Sequence, residues 1–133
     1  GNGVEQDFDE ALAWFRQAAA QGNEFAQNNL GSAYFAGHGV VQNHAEAERW
    51  FRQAAVQGFS TAQANLGVLF LNGYGVEQNA EAAYVWSALA VANGYDSARD
   101  VRDEAGASLT SEQQASAVAL AQACLDSRYR TCP

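Results

Sequence analysis

The chain has 133 residues, a formal net charge of −8 and no lysine, since all seven basic residues are arginines. This acidic balance argues against nucleic acid or an anionic membrane surface as the main partner, because both are bound through clustered Lys and Arg. Hydrophobic residues make up 48% of the chain, which is sufficient for one domain with its own core.

A repeat of 36 residues organises the chain. Trp14, Trp50 and Trp86 are the only tryptophans, and successive ones are 36 positions apart. Segments 1–36 and 37–72 are identical at 19 of 36 positions without a gap. A fixed period of this length is typical of stacked repeats. We therefore predict an all-α fold, a right-handed superhelix (solenoid) of helix-turn-helix units with a capping helix at its C-terminal end.

Each unit opens with a Gly-x-Gly-Val loop, at residues 1–4, 37–40 and 73–76. The glycines suit positive φ or close backbone contact, and the valine can enter the core. An N-cap residue follows each loop: Asp7, Asn43 and Asn79. The first two also match the capping-box pattern, with an acidic residue three positions later.

The helix after each cap, here termed helix B, carries alanines and a tryptophan at steps of three and four, which places them on one face. We predict that the three tryptophans occupy equivalent buried slots. Gly22, Gly58 and Gly94 are expected to end these helices.

A second helix of each unit, helix A, is expected to start near residues 24, 60 and 96. Ser60 and Gln63 match a capping box. Gly31 and Gly67 lie in the middle of helix A at a cost of ~1 kcal/mol each relative to Ala. Their recurrence indicates that a neighbouring helix comes too close for a side chain.

These residues resemble the Sel-one-like repeat (SLR), a relative of the tetratricopeptide repeat. The family pattern is met at Ala26, Leu30, Gly31, Tyr34, Gly37, Gly39, Val40, Ala47, Trp50, Ala54, Ala55 and Gly58. The resemblance covers residues 1 to about 98. It implies a right-handed α-solenoid that serves as an adaptor in protein complexes, often bacterial and often exported.

After Ala98 the repeat pattern fails, and the chain divides into repeats at 1–98, the first one partial, and a different segment at 99–133. The third helix B, at about 81–93, is apolar on nearly every face and must be covered on every face. A short degenerate helix and a last helix from about 112 to 125, capped by Thr110 or Ser111, are expected to form this C-terminal cap.

The first helix B lacks a preceding helix A in this chain. We therefore expect the chain to be the C-terminal part of a longer repeat protein. Some apolar surface at the N-terminal end is expected to be exposed, which would allow self-association there. The residues concerned are Phe8, Leu12, Trp14 and Phe15.

Cys124 and Cys132 are the only cysteines. Two interpretations remain open: a disulfide that ties the tail to the cap, or two unpaired thiols. A disulfide implies an oxidising compartment, so the periplasm or secretion is expected, with the cytoplasm as the alternative. A metal site requires more ligands than this region offers.

No cofactor, metal or catalytic residue is predicted. His38 and His44, the only histidines, lie around a variable loop, and the hydroxyl of Tyr34 is replaced by Phe70 in the next unit. Asn29 and Asn65 recur; the favoured interpretation is a hydrogen bond within the repeat, and the alternative is a clamp on a ligand backbone.

By analogy with tetratricopeptide repeats, the outer face of helix A forms a concave groove. Aligning Leu30 and Gly31 with their counterparts there predicts these exposed groove residues: Phe25, Asn28, Ser32, Phe35, Thr61, Ala64, Val68, Leu71 and Asn72. Phe35, Val68 and Leu71 form an apolar stripe that suits an extended peptide or an amphipathic helix. The alternative is that they pack on a neighbouring helix A.

Three function classes follow. The first is a non-catalytic scaffold that binds a partner protein in the groove, without nucleic acid or membrane insertion. The second is a cell-wall or glycan-binding module, which requires exposed aromatic residues. The third is a β-lactamase-like hydrolase, since some cysteine-rich relatives have been linked to β-lactam binding; this chain lacks their cysteine pairs and, without lysine, any Ser-x-x-Lys motif.

Overall fold

The computed structural model describes the backbone of residues 3–133 and the side chains from residue 9 onward. This part of the chain is helical and contains no strand. The helices are α1 (Gly3–Ala20), α2 (Glu24–Ala36), α3 (His44–Ala55), α4 (Ser60–Asn72), α5 (Ala80–Ala92), α6 (Arg99–Ala107) and α7 (Ser111–Asp126), with a 3₁₀ turn at Asp96–Ala98 before α6. The all-α prediction is confirmed.

The helices pack in repeated pairs. Helix α2 lies against α1 and α3, and α4 lies against α3 and α5. Helices B of the sequence analysis are α1, α3 and α5, and helices A are α2, α4 and the segment of the 3₁₀ turn and α6. The predicted helix A starts are confirmed at Glu24, Ser60 and Asp96.

Backbone signals set these boundaries. Gly22, Gly58 and Gly94 follow helices B with φ of +93°, +89° and +97°, a region in which a residue with a side chain is strained. Asn43 and Asn79 act as the predicted N-caps, because their Oδ1 atoms accept from the backbone N–H groups three residues later.

The C-terminal helix also has the cap that the sequence indicates. The Thr110 side chain accepts from the backbone N–H of Gln113, and the Gln113 side chain accepts from the backbone N–H of Thr110. This is a complete capping box. The Ser60 capping box is wrong: Phe59 holds the N-cap position of α4 and provides no side-chain hydrogen bond.

The Asp7 cap is also wrong, because α1 already begins at Gly3. In the later units the loop is held to the preceding helix A: Asn43 and Asn79 donate their backbone N–H groups to the carbonyls of Tyr34 and Phe70. In the first unit the backbone of residues 3–7 belongs to α1 instead. Residues 1–2 of that predicted loop lie outside the described residues.

The helical glycines lie at close helix contacts, as predicted. A Cβ on Gly31 would come within 2.6 Å of the Phe51 ring. On Gly67 it would come within 3.3 Å of Ser87 in α5. The first site cannot accept a methyl group unless Phe51 moves, whereas the second is only tight.

The three tryptophans are not equivalent. Trp86 is completely buried, Trp50 is half-buried, and Trp14 is 54% exposed. The prediction of three buried slots is therefore wrong for Trp14. Trp50 packs against the cluster of Leu12 and Leu30 in the preceding layer, and no such layer precedes Trp14 in this chain.

The C-terminal cap covers α5, as the sequence analysis predicts. In the repeats each helix A lies against the next helix B, but α7 packs on α5 rather than chiefly on α6. Ala117, Ala121 and Cys124 face the core that contains Trp86. Helix α5 is thereby covered by α4, α6 and α7, as its apolar surface requires.

A disulfide joins Cys124 to Cys132. This resolves the two interpretations of the cysteines in favour of the bridge. The bridged tail places Tyr129 beside the turn between α3 and α4, where its ring would lie 3.5 Å from a Cβ on Gly58.

Two buried glutamines, not foreseen from the sequence, join successive units. Gln27 and Gln63 occupy equivalent positions and donate to the carbonyls of Ala19 and Ala55, near the ends of α1 and α3. Their Oε1 atoms accept from Gln57 and Asn93 of the following helix B segment, both at 2.9 Å. Each buried amide is thus satisfied on both sides, which makes it a specific link between layers.

Candidate partner-binding groove

Three depressions lie along helices A, the helices for which the sequence analysis predicts the groove, and we name this face the inner wall. The Asn65 side chain donates to Asn28 Oδ1 over 3.0 Å and so ties α4 to α2. An open depression of about 280 Å³ lies beside this link. It is lined by Ser32, Phe35, Ala36, His38, Phe51, Asn65, Val68 and Leu69. We name it the central depression.

Two further depressions flank it. The first, of about 190 Å³, shares Ser32 and His38 with the central depression and extends to α1. It is lined by Ala11, Leu12, Phe15, Asn29, Ser32, Ala33 and His38. The second, of about 480 Å³, lies between α4 and α6 and is lined by Leu71, Asn72, Gln78, Ala80, Glu104 and Ser108. We name them the α1-side and α6-side depressions.

The predicted groove residues divide into three groups: those that line a depression, those that are buried, and those that lie outside the depressions. Ser32, Phe35 and Val68 come together in the central depression, and Leu71 and Asn72 line the α6-side depression. Phe35 and Leu71 are half-buried and pack against the core, whereas a peptide bound on the apolar stripe stays a prediction.

Other predicted groove residues lie elsewhere. The expectation that Asn28 and Ala64 are exposed is wrong, because their exposed fractions are 8% and 7%. Asn28 pairs with Asn65, and Ala64 packs with Ala90 and Ala98. Both side chains contact the following unit. The periodicity of a single helix does not predict such a contact, because it depends on how that helix is rotated relative to its neighbour.

Two more lie outside these depressions. Phe25 is exposed and touches Phe59 edge-on at the other end of α2, with ring centroids 6.5 Å apart. Thr61 is half-buried near the start of α4.

The recurrent asparagines differ from the favoured interpretation. The bond that Asn65 makes crosses from one unit to the preceding one, so it does not lie within a repeat. Asn29 lines the α1-side depression and Asn65 lines the central one. The same position of two successive units thus presents a side-chain amide at the inner wall.

An aromatic cluster borders the central depression. The Phe35 ring stacks on the His44 ring at 4.8 Å, and Tyr74 meets both rings, at 5.4 and 5.1 Å. Sequence reasoning missed this cluster because it breaks the period: the next unit has Leu71 and Ala80 in place of Phe35 and His44.

The charge of the inner wall is uneven. Among the described residues that line the three depressions, Glu104 is the only carboxylate and none is an arginine.

Within the described residues no cluster of three or more His, Cys, Asp or Glu could hold a metal ion. Among the described helices, none has both the length and the apolar character to span a membrane.

Comparison with known proteins agrees with this architecture. The family model of the Sel1 repeat matches residues 1–23, 25–59 and 60–95. No curated protein sequence matches the chain.

Two solved structures are similar to it. One is c5321 of Escherichia coli, described as a protective antigen of uropathogenic strains with an SLR fold; it is 35% identical, with a TM-score of 0.83 over 89% of this chain and 26% of that one. The other is a Sel1 repeat protein from Oxalobacter formigenes, 37% identical, with a TM-score of 0.63 over 65% of this chain and 36% of that one. This chain therefore spans about a quarter and about a third of their lengths.

Both the periodic sequence and the paired helices are thus accounted for by one repeat type, and the chain belongs to the Sel1 repeat family.

Proposed function

We propose that this chain is a non-catalytic scaffold that binds a segment of a partner protein along the inner wall formed by α2, α4 and α6. The observation that supports the proposal is the central depression, an open and mainly apolar recess beside Ser32. Its floor residues Phe51 and Leu69 are buried and held by the core. A preformed apolar recess on a rigid repeat is suited to receive a side chain at little ordering cost.

The proposed compartment is the periplasm or the exterior of the cell. The bond between Cys124 and Cys132 supports an oxidising environment, because disulfides rarely persist in the cytosol. The description of the E. coli relative as a protective antigen agrees with exposure outside the cytoplasm.

Quantitative affinity purification from an extract of the cells that naturally make the protein tests the proposal. Val68→Arg places a charge in the central depression, and Val56→Arg makes the same change at the exposed end of α3, outside the three depressions. We expect Val68→Arg to lose the proteins that wild type retains and Val56→Arg to keep them. Equal recovery by both folded variants, verified by circular dichroism, would contradict the proposal.

A glycan-binding module is the second candidate, because Trp14 is exposed and glycan rings stack on exposed aromatic side chains. The test is the change of tryptophan fluorescence on adding a chitin oligosaccharide, with Trp14→Ala as the control. A fluorescence shift that Trp14→Ala abolishes supports this candidate, and an unchanged spectrum at millimolar sugar contradicts it.

A further inference from the structure

The inner wall changes its chemistry along the stack. Ser32, Val68 and Glu104 occupy the same position of three successive units, 36 residues apart. Ser32 lies between the α1-side and central depressions, Val68 lines the central one, and Glu104 lines the α6-side one. The wall therefore runs from an apolar part to a carboxylate.

The carboxylate of Glu104 is available to a ligand. The ion pairs of this region join Arg99 to Asp96 and Arg102 to Asp103. Glu104 forms no ion pair or hydrogen bond with the described residues, and its side chain is exposed. Asp100, one helical turn earlier, is also exposed and also forms no ion pair or hydrogen bond with the described residues. No lysine is present in the chain to neutralise them.

The carboxylate of Glu104 indicates which kind of segment the inner wall would bind, because a basic side chain complements its charge. We propose that the inner wall takes an extended segment whose apolar side chains enter the α1-side and central depressions and whose Lys or Arg meets Glu104. This inference rests on the proposed function and specifies its partner. The net charge of −8 favours approach of a basic segment from solution.

The spacing favours an extended chain. The Asn65–Asn28 hydrogen bond joins α4 to α2, and α4 also contacts α6. Because neighbouring helices lie about 8–10 Å apart, we infer a step of about this size between the depressions that follow these helices. Three residues of polyproline II conformation span ~9 Å and return to the same face. The pattern that fits is apolar-x-x-apolar-x-x-basic.

Two amides are placed to hold the backbone of such a segment. Asn29 lines the α1-side depression and makes no hydrogen bond with the described residues. Asn65 lines the central depression and uses its Nδ2 for Asn28, which leaves Oδ1 as an acceptor. Main-chain hydrogen bonds of this type supply affinity without demanding a particular side chain.

The experiment is selection from a display library of random dodecapeptides on the immobilised chain, followed by fluorescence anisotropy with the enriched peptides. We expect the apolar-x-x-apolar-x-x-basic pattern. Glu104→Gln should weaken binding about threefold to fivefold, as loss of an exposed ion pair does, and the effect should shrink at high salt. Glu112→Gln, the matched change on α7, should have no effect.

The two proposals fail in different ways. If enriched peptides lose affinity in Val68→Arg but ignore Glu104→Gln, or if they lack a basic residue, the basic partner is wrong and the groove remains. If they bind as helices, seen by circular dichroism of the complex, the extended segment is wrong. If no enriched peptide is sensitive to Val68→Arg, both the partner class and the groove are contradicted.

Discussion

The side-chain amide of Asn93 donates to the hydroxyl of Tyr129 over 2.9 Å. The same amide donates to Oε1 of the buried Gln63. The C-terminal tail is therefore connected through one side chain to the link between the second and third units. Because the Cys124–Cys132 bridge holds this tail, the bridge and the hydrogen bonds stabilise one arrangement.

Tyr129→Phe removes the hydroxyl but keeps the ring beside Gly58. We expect the free energy of unfolding to fall by about 0.5–1.5 kcal/mol, the usual net contribution of one hydrogen bond. Urea denaturation measures it. Tyr84→Phe is the matched control, since the Tyr84 hydroxyl has no hydrogen bond among the described residues. An equal loss in both variants would show that the bond to Asn93 contributes nothing specific.

Removal of the disulfide should destabilise the cap. Cys132→Ser leaves the buried Cys124 in place and opens a short loop, and loop entropy predicts a loss of about 2–3 kcal/mol. Hydrogen exchange should accelerate in α7 and α5 more than in α2. Before this experiment, the mass of the alkylated, unreduced protein checks the bridge itself: two alkyl adducts would show that both thiols are free.

Tryptophan substitutions should have graded effects. Trp86→Ala should cost about 3–5 kcal/mol, as truncation of a fully buried aromatic does. Trp14→Ala should change the free energy of unfolding by less than about 1 kcal/mol, because this side chain is largely exposed.

Iodide quenching provides the matching measurement. The fluorescence that disappears in Trp14→Ala should be the readily quenched component, and that of Trp86 should resist quenching. Uniform protection of the three tryptophans would contradict the graded burial.

Gly31→Ala should be more costly than Gly67→Ala. The added methyl group at Gly31 overlaps the Phe51 ring, and overpacking of a core costs about 1–3 kcal/mol. At Gly67 the contact is only tight, and the helix propensity of Ala offsets part of it. Thermal denaturation compares them. Phe51→Leu should relieve the first substitution in the double variant; additive losses would argue against the overlap.

The regular part of the fold follows from local signals. The chain reversals at Gly22, Gly58 and Gly94 need a positive φ, which glycine adopts without strain, so the residue type itself predicts them. The starts of helices A follow directly after these glycines. The close approach at Gly31 also follows from local composition. These features repeat because the same local chemistry repeats.

The remaining features depend on contacts between distant residues. That α7 covers α5 could be expected from the apolar surface of α5 on nearly every face. That α7 packs on α5 and not chiefly on α6 depends on which apolar surface is still uncovered once the repeats have packed. Trp14 is largely exposed although its local pattern closely resembles that of Trp50, which packs against the preceding layer.

The candidate groove shows the same division. Ser32, Phe35 and Val68 could be placed together from helical spacing and family resemblance. The burial of Asn28 and Ala64 could not, because it depends on how far each helix A rotates toward the next one. The aromatic cluster of Phe35, His44 and Tyr74 joins three elements and has no counterpart in the next unit.

Photo-crosslinking at Ser32 tests the central claim, a partner segment on the inner wall, most directly. A photoreactive residue replaces Ser32, which borders two depressions, and in a second variant it replaces the exposed Arg49 on α3. Irradiation of cells that make the protein should give a discrete crosslinked product from position 32 only, and Val68→Arg should abolish it. The same product from both positions, or none from position 32, would contradict a partner on this wall.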